Sequence, residues 1–227
     1  MLFTSEAFKS LIADKMPLDY RIIILELAGQ GRTKEKFISA EIEGEKIYAY
    51  LVDEGIGEID LAFGASLGGV VLLSLLNKKD LEIKKSIFEG CSLSQGSRFL
   101  EGFLKSIVLS KHGHALRDKS YVVYLISKIY GGDFSNILVN NFVAMDKESI
   151  KNIIHACAYV KLPVLSKEDQ EKCIFCYGPK DKSLNIAKNA MGRKFNNSLM
   201  KIWKGYSHCN KIILDNERYC EFLKSQL

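Results

Sequence analysis

Hydrophobic and polar positions change their period several times along the chain, and those changes mark out its elements. Over residues 5–16, Phe8, Leu11 and Ile12 fall at helical spacing until Pro17 ends the pattern. Residues 21–27, RIIILEL, are a nearly continuous apolar run, which predicts a strand buried on both faces of a parallel sheet. A glycine-rich loop at 28–33 follows, and 38–54 return as an amphipathic helix. Residues 59–69 then read as a buried strand and a turn too tight for most side chains, and the apolar run 70–76 reads as a helix. Another short strand is expected at 85–90. From Cys91 to about Gln170 the strand signal stops, and helices are expected at 99–109, 119–130 and 147–159. Strand character resumes at 173–177, followed by a turn at 178–182 and a helix over 186–191. The strand 199–203, a loop at 205–208 and a closing helix at 216–223 complete the chain.

This alternation of strand and helix predicts an α/β fold with a doubly wound, mostly parallel sheet. The helical stretch between sheet strands predicts an insertion of the kind that caps a pocket. On this reading residues 1–90 and 171–227 form the core and 91–170 the cap. A length of 227 residues suits one large domain of this kind. Hydrophobic residues at 47% and charged residues at 26% are ordinary for a soluble globular protein.

The net charge of +5 comes from 32 Lys and Arg against 27 Asp and Glu. The basic residues are spread in pairs such as Lys78-Lys79 and Lys84-Lys85, without interleaved exposed aromatics, which argues for solvated helix ends and against nucleic-acid binding. Met1-Leu2-Phe3 lacks a charged leader region and no apolar run approaches about 18 residues, so no signal peptide and no membrane span are expected. The six cysteines (Cys91, Cys157, Cys173, Cys176, Cys209 and Cys220) mostly lie in apolar segments. Cys173 and Cys176 share a predicted strand, where they point to opposite faces and make a poor metal clip. Buried free thiols in a reducing cytoplasm are the expectation.

The candidate chemistry sits at the turn after the strand at 59–65. Gly64-Ala65-Ser66-Leu67-Gly68 fits the G-x-S-x-G nucleophile elbow, in which glycines let strand and helix pass close together while the serine is pushed out at the strand's carboxyl end. The pattern alone arises by chance in roughly one chain in ten of this length, so its weight comes from the strand before it and the helix after it. A serine hydroxyl needs a base within reach and a third group to fix the base's tautomer. Ser66, Asp181 and His208 occur in the order nucleophile, acid, base, each in a loop at a strand's expected carboxyl end, where ligands bind in open parallel sheets. Glu89, at the end of the preceding strand, is the substitute acid. The other histidines, His112, His114 and His155, fall in predicted helices, where structural or surface roles are expected. A phosphate-binding loop or dinucleotide fingerprint is excluded by glycine spacing.

Gly64-Ala65-Ser66-Leu67-Gly68-Gly69, Tyr177-Gly178-Pro179-Lys180-Asp181 and Gly205-Tyr206-Ser207-His208 together resemble the α/β-hydrolase superfamily, especially small bacterial hydrolases with a helical cap. Leu27-Ala28-Gly29-Gln30-Gly31-Arg32 looks like the loop that reads D-x-x-G-x-G in many members. The resemblance implies a Ser-His-acid hydrolase with Ser66 as nucleophile, His208 as general base and acid, Asp181 as orienting carboxylate, and the Leu67 N–H as one oxyanion-hole donor. No metal and no organic cofactor is implied. Such proteins ordinarily begin with further strands and a His-Gly loop carrying the other oxyanion donor, whereas this chain starts near the helix after that loop. The shortened start leaves open a start internal to a longer protein, a gap filled by another segment or subunit such as a homodimer covering the open sheet edge, or lost activity.

The expectation is a cytoplasmic esterase or thioesterase acting on a small to medium apolar acyl substrate, since 91–170 are rich in Phe, Leu, Ile and Tyr. The alternative is a catalytically impaired interaction protein that keeps the fold but lacks a complete oxyanion hole.

Overall fold

The computed structural model describes residues 3–31, 33–96 and 98–227. The readings of the amino-terminal residues Met1 and Leu2, and of Arg32 in the glycine-rich loop, lie outside them. The chain divides into two compact units, one of Met1–Ile38, Phe99–Ile154 and Asn210–Ser225, the other of Ser39–Arg98, His155–Cys209 and Gln226–Leu227.

The second unit holds the sheet. Strands β1 (Glu58–Ala65), β2 (Glu82–Glu89), β3 (Cys173–Tyr177) and β4 (Leu199–Ile202) lie in the order β1-β2-β3-β4, and all pairs are parallel. This is the α/β architecture with a parallel sheet that the alternation of strand and helix implied. The inner strand β3, CIFCY, is buried at every position, because a parallel strand with neighbours on both edges and cover on both faces meets no water. Phe88 and Phe175 are register partners, and their rings stack at 4.5 Å; Phe195 leans on Phe175 at 5.4 Å. Helices α2 (Ala40–Asp53) and α3 (Leu67–Leu75) belong to this unit, as do α8 (Lys167–Glu171) and α9 (Leu184–Lys194). Ser39 caps α2 by accepting from the Ile42 N–H. Gly44 lets α2 approach α3, since a Cβ there would stand 1.9 Å from Ser74 Oγ. Helix α3 is apolar all round and buried along most of its length, which suits a helix enclosed by its unit's core.

The first unit is helical. It contains α1 (Ser5–Leu11), α5 (Lys119–Tyr130), α6 (Gly132–Ala144), α10 (Lys211–Leu214) and α11 (Asn216–Lys224), and nearly all of α4 (Arg98–Arg117) and the first part of α7 (Lys147–Ala158). Asn216 Nδ2 donates to the Leu11 carbonyl at 2.8 Å, tying α11 to the end of α1. Ser149 Oγ accepts from Phe37 N–H at 3.0 Å, and Asn152 donates to the Phe37 carbonyl at 3.0 Å, fixing the chain after the glycine-rich loop. Among the described residues no helix is long and apolar enough to cross a membrane.

The strand expected at 21–27 is not formed. A strand exists only where a neighbour completes its hydrogen bonds, and this segment enters no ladder among the described residues. Ile22 and Leu25 are 42% and 41% exposed, so the apolar run is not that of an inner strand. Helix α6, by contrast, was not anticipated as a separate element.

The elbow distinguishes its glycines. A Cβ on Gly64 would stand 2.6 Å from the Gly68 carbonyl oxygen, and one on Gly69 would stand 2.8 Å from Cys91 Cβ, whereas one on Gly68 meets nothing within 4 Å. Gly64→Ala is therefore expected to destabilise the fold by about 1–3 kcal/mol through overpacking against backbone. Gly68→Ala is expected to be neutral, or to stabilise by up to roughly 1 kcal/mol, as alanine replaces glycine in a helix. Urea unfolding of both variants checks this, and equal losses would refute the distinction.

Candidate functional site

Four loops at the carboxyl ends of the four strands meet in one place in the second unit. After β1 the chain turns sharply at Ser66, whose φ of 52° and ψ of −112° a residue other than glycine seldom adopts. Serine at a helix start normally accepts from the first-turn N–H groups, but Ser66 makes no such bond. The strained backbone instead turns its hydroxyl outward, toward His208. Ser66 N–H donates to the Glu89 carbonyl at 2.8 Å, continuing the β1–β2 ladder to the apex.

After β3, Gly178 permits a close approach between two loops: a Cβ there would lie 2.2 Å from the Tyr206 carbonyl oxygen. That approach carries Asp181 to His208. His208 Nδ1 lies 2.8 Å from Asp181 Oδ2, and its Nε2 lies 3.0 Å from Ser66 Oγ. The partners assign the tautomer: Nδ1–H donates to the carboxylate, and Nε2 accepts from the serine hydroxyl. The structure thus brings Ser66, His208 and Asp181 into one hydrogen-bonded relay. The Asp181 side chain is 3% exposed and that of His208 is 40% exposed, so the imidazole meets solvent while the carboxylate does not.

Glu89 is not part of the relay. It is fully buried, and its Oε2 accepts from Trp203 Nε1 at 2.8 Å. Leu67 opens α3, and its N–H and that of Gly68 are among the first-turn donors that helix geometry leaves without intrahelical acceptors. Of the other histidines, His112 packs edge-on against Phe142 at 5.1 Å and His155 stacks on Tyr159 at 4.7 Å. All six cysteines are free, and all but Cys157 are buried. Among the described residues no group of three or more His, Cys, Asp or Glu is placed to hold a metal ion.

Burial by itself would push the Asp181 carboxyl up, but the His208 hydrogen bond and charge, with the bonds from Ser183, hold it below the usual carboxylate range. Desolvation disfavours the His208 imidazolium; the neighbouring Cys209 sulfur and the Asp181 carboxylate outweigh it and raise the imidazole well above its ordinary value.

Three supporting residues were not found from the sequence. Ser183 donates both its N–H (2.9 Å) and its hydroxyl (2.5 Å) to Asp181 Oδ1, leaving Oδ2 for His208. Its readable signal was the Asp-x-Ser spacing of an Asx-type turn. Gly90, at φ 60°, leaves room for the imidazole: a Cβ there would stand 3.0 Å from His208 Nδ1. Cys209, at φ 55°, follows the histidine directly. No sequence pattern signals the last two, because they answer to distances between loops.

No protein-family model matches the chain, and no curated protein matches it. Solved structures do. An alpha/beta hydrolase family protein from Desulfitobacterium hafniense superposes with a TM-score of 0.71 at 12% identity, over 99% of this chain and 91% of that one. An esterase from Exiguobacterium antarcticum gives 0.71 at 16% identity, over 98% and 87%. An esterase from a Rhodococcus species gives 0.69 at 18% identity, over 99% and 87%. With its parallel sheet, its elbow turn and these structural neighbours, the chain has the α/β-hydrolase fold.

Proposed function

We propose that the chain is a serine hydrolase that cleaves a small to medium apolar carboxylic ester or thioester through an acyl-enzyme on Ser66. The observation that carries this reading is the relay of 3.0 Å and 2.8 Å contacts from Ser66 Oγ through His208 to Asp181, set on a strained elbow. The esterases among the solved structures of the same fold support it.

Ser66 Oγ attacks the acyl carbonyl as His208 Nε2 takes its proton, and Asp181 steadies the imidazolium that forms. The Leu67 N–H donates to the developing oxyanion. Collapse of the tetrahedral adduct breaks the bond to the alcohol or thiol, which receives the proton from Nε2. Water then enters, gives a proton to His208 as its oxygen attacks the acyl-enzyme, and the acid departs as the proton returns to Ser66. The apolar acyl preference is carried over from the abundance of Phe, Leu, Ile and Tyr in residues 91–170.

Incubation with a fluorophosphonate probe tests the reading. One covalent adduct per chain is expected by intact mass, mapped by peptide sequencing to Ser66. Folded protein that takes up no probe would overturn the proposal and favour an interaction protein on the same fold.

A further inference from the structure

We propose that Cys209 is a positioning residue for the proposed reaction, its thiol holding His208 in register with the nucleophile elbow through the main-chain carbonyl of Glu89. The inference rests on the serine-hydrolase reading above. Among the described non-glycine residues only Ser66 and Cys209 have φ in the left-handed range, at 52° and 55°. The strain at Ser66 is explained by the hydroxyl it presents. That at Cys209 has no such explanation until its side chain is followed. Cys209 is 3% exposed, and its Sγ–H donates to the Glu89 carbonyl oxygen at 3.3 Å. The same oxygen accepts the Ser66 N–H at 2.8 Å. One carbonyl at the end of β2 therefore anchors the backbone of the nucleophile and the side chain next to the base.

Gly90 completes the device. Its missing side chain leaves the space that both groups occupy, since a Cβ there would lie 2.7 Å from Cys209 Sγ and 3.0 Å from both Cε1 and Nδ1 of His208. The thiol, the imidazole edge and the glycine are thus packed together. A base displaced by about 1 Å can lose on the order of 10²-fold in rate, so a short anchor beside it has kinetic consequences. A residue held for packing alone has no reason to retain a left-handed backbone, where glycine is at ease.

The test compares Cys209→Ala, Cys209→Ser and Cys209→Gly in kcat and KM for an ester substrate, in melting temperature, and in the pH titration of the His208 ring followed by NMR. Cys209→Ala removes the donor and is expected to lower kcat about 10–100-fold with KM within about twofold, the sign of a misplaced catalytic group and not of weaker binding. Its His208 titration should fall toward about 6.5 as the ring loses the neighbouring sulfur and loosens from Asp181. Cys209→Ser keeps a donor but not the sulfur, so it should restore kcat and hold its His208 titration above that of Cys209→Ala. Cys209→Gly suits the backbone but has no anchor, so it should melt at the same temperature or higher while turning over as slowly as the alanine variant. It also serves if Cys209→Ala does not fold. Wild-type kcat and titration in Cys209→Ala or Cys209→Gly, or a serine variant as impaired as alanine, would overturn the proposal. The titration is read without substrate, so a wild type inert toward esters would sink the serine-hydrolase reading while still deciding whether Cys209 positions the ring.

Discussion

Ser66→Ala is expected to lower ester turnover by about 10⁴–10⁶-fold, as removal of a nucleophile from a Ser-His-acid relay does, and to leave the fold intact. The loss is chemical because the hydroxyl stands 3.0 Å from His208 Nε2, the nitrogen that would take its proton. The fold is spared because the hydroxyl makes no capping bond to α3, so its removal deprives no first-turn N–H of a partner. Alanine keeps a Cβ and therefore keeps the strain at φ 52°, so its melting temperature should match the wild type. Ser66→Gly separates the two effects: equally inactive, it should gain roughly 1 kcal/mol in stability as the strain is relieved. Hydrolysis of p-nitrophenyl esters of graded chain length, with thermal melts of each variant, reads both quantities. Unchanged turnover in Ser66→Ala would remove Ser66 from the mechanism.

The elbow could be read from sequence because its requirements are local. Gly64 must clear the backbone of Gly68, an apolar strand must precede and an apolar helix must follow, and all of this lies within about twenty consecutive residues. Helix α5 was legible for the same reason: Asp118 caps it and Gly131, at φ 82°, ends it, so both limits are written in residue type. The segment 21–27 shows the opposite case. Its composition is that of an inner strand, but composition supplies half of a strand and the neighbouring ladder supplies the rest. Helix α6 was hidden by its glycine start and its asparagines, although Phe134, Leu138, Val139 and Phe142 keep helical spacing. At the site, the order and loop positions of Ser66, Asp181 and His208 were visible, since strand ends can be counted along the chain. What could not be counted was which carboxylate faces the imidazole. Glu89 ends β2 and Asp181 lies in the loop after β3, and the contact falls to Asp181 because Trp203, from the loop after β4, occupies Glu89.

Asp181→Asn should cost about 10⁴-fold in kcat by forcing the wrong imidazole tautomer, and the neighbouring serine dictates how. Ser183 presents two donors to Oδ1, its N–H at 2.9 Å and its hydroxyl at 2.5 Å, so an asparagine must keep its oxygen there and turn its NH₂ to His208 Nδ1. Nδ1 then has to accept, the ring proton moves to Nε2, and the nitrogen facing Ser66 can no longer take a proton. The pH dependence moves with it. His208 titrates well above 6.5 in the native protein, and only its neutral form can act as base, so wild-type kcat/KM should fall as pH drops through a value above 6.5. Asparagine removes one of the charges that raise the imidazole, and the acid limb should move to lower pH. Stability follows the same signs. The lowered Asp181 carboxyl contributes stability that is present above about 3.9 and lost as pH falls through its native value. The raised His208 contributes stability that is present below about 6.5 and lost as pH rises through its native value. Both contributions are in force together between about pH 4 and 6.5, so wild type and Asp181→Asn should differ most in urea midpoint in that window, and the difference should narrow as pH rises through the native His208 value. A limb that stays where the wild type has it, with turnover reduced less than about tenfold, would show that Asp181 does not govern the base.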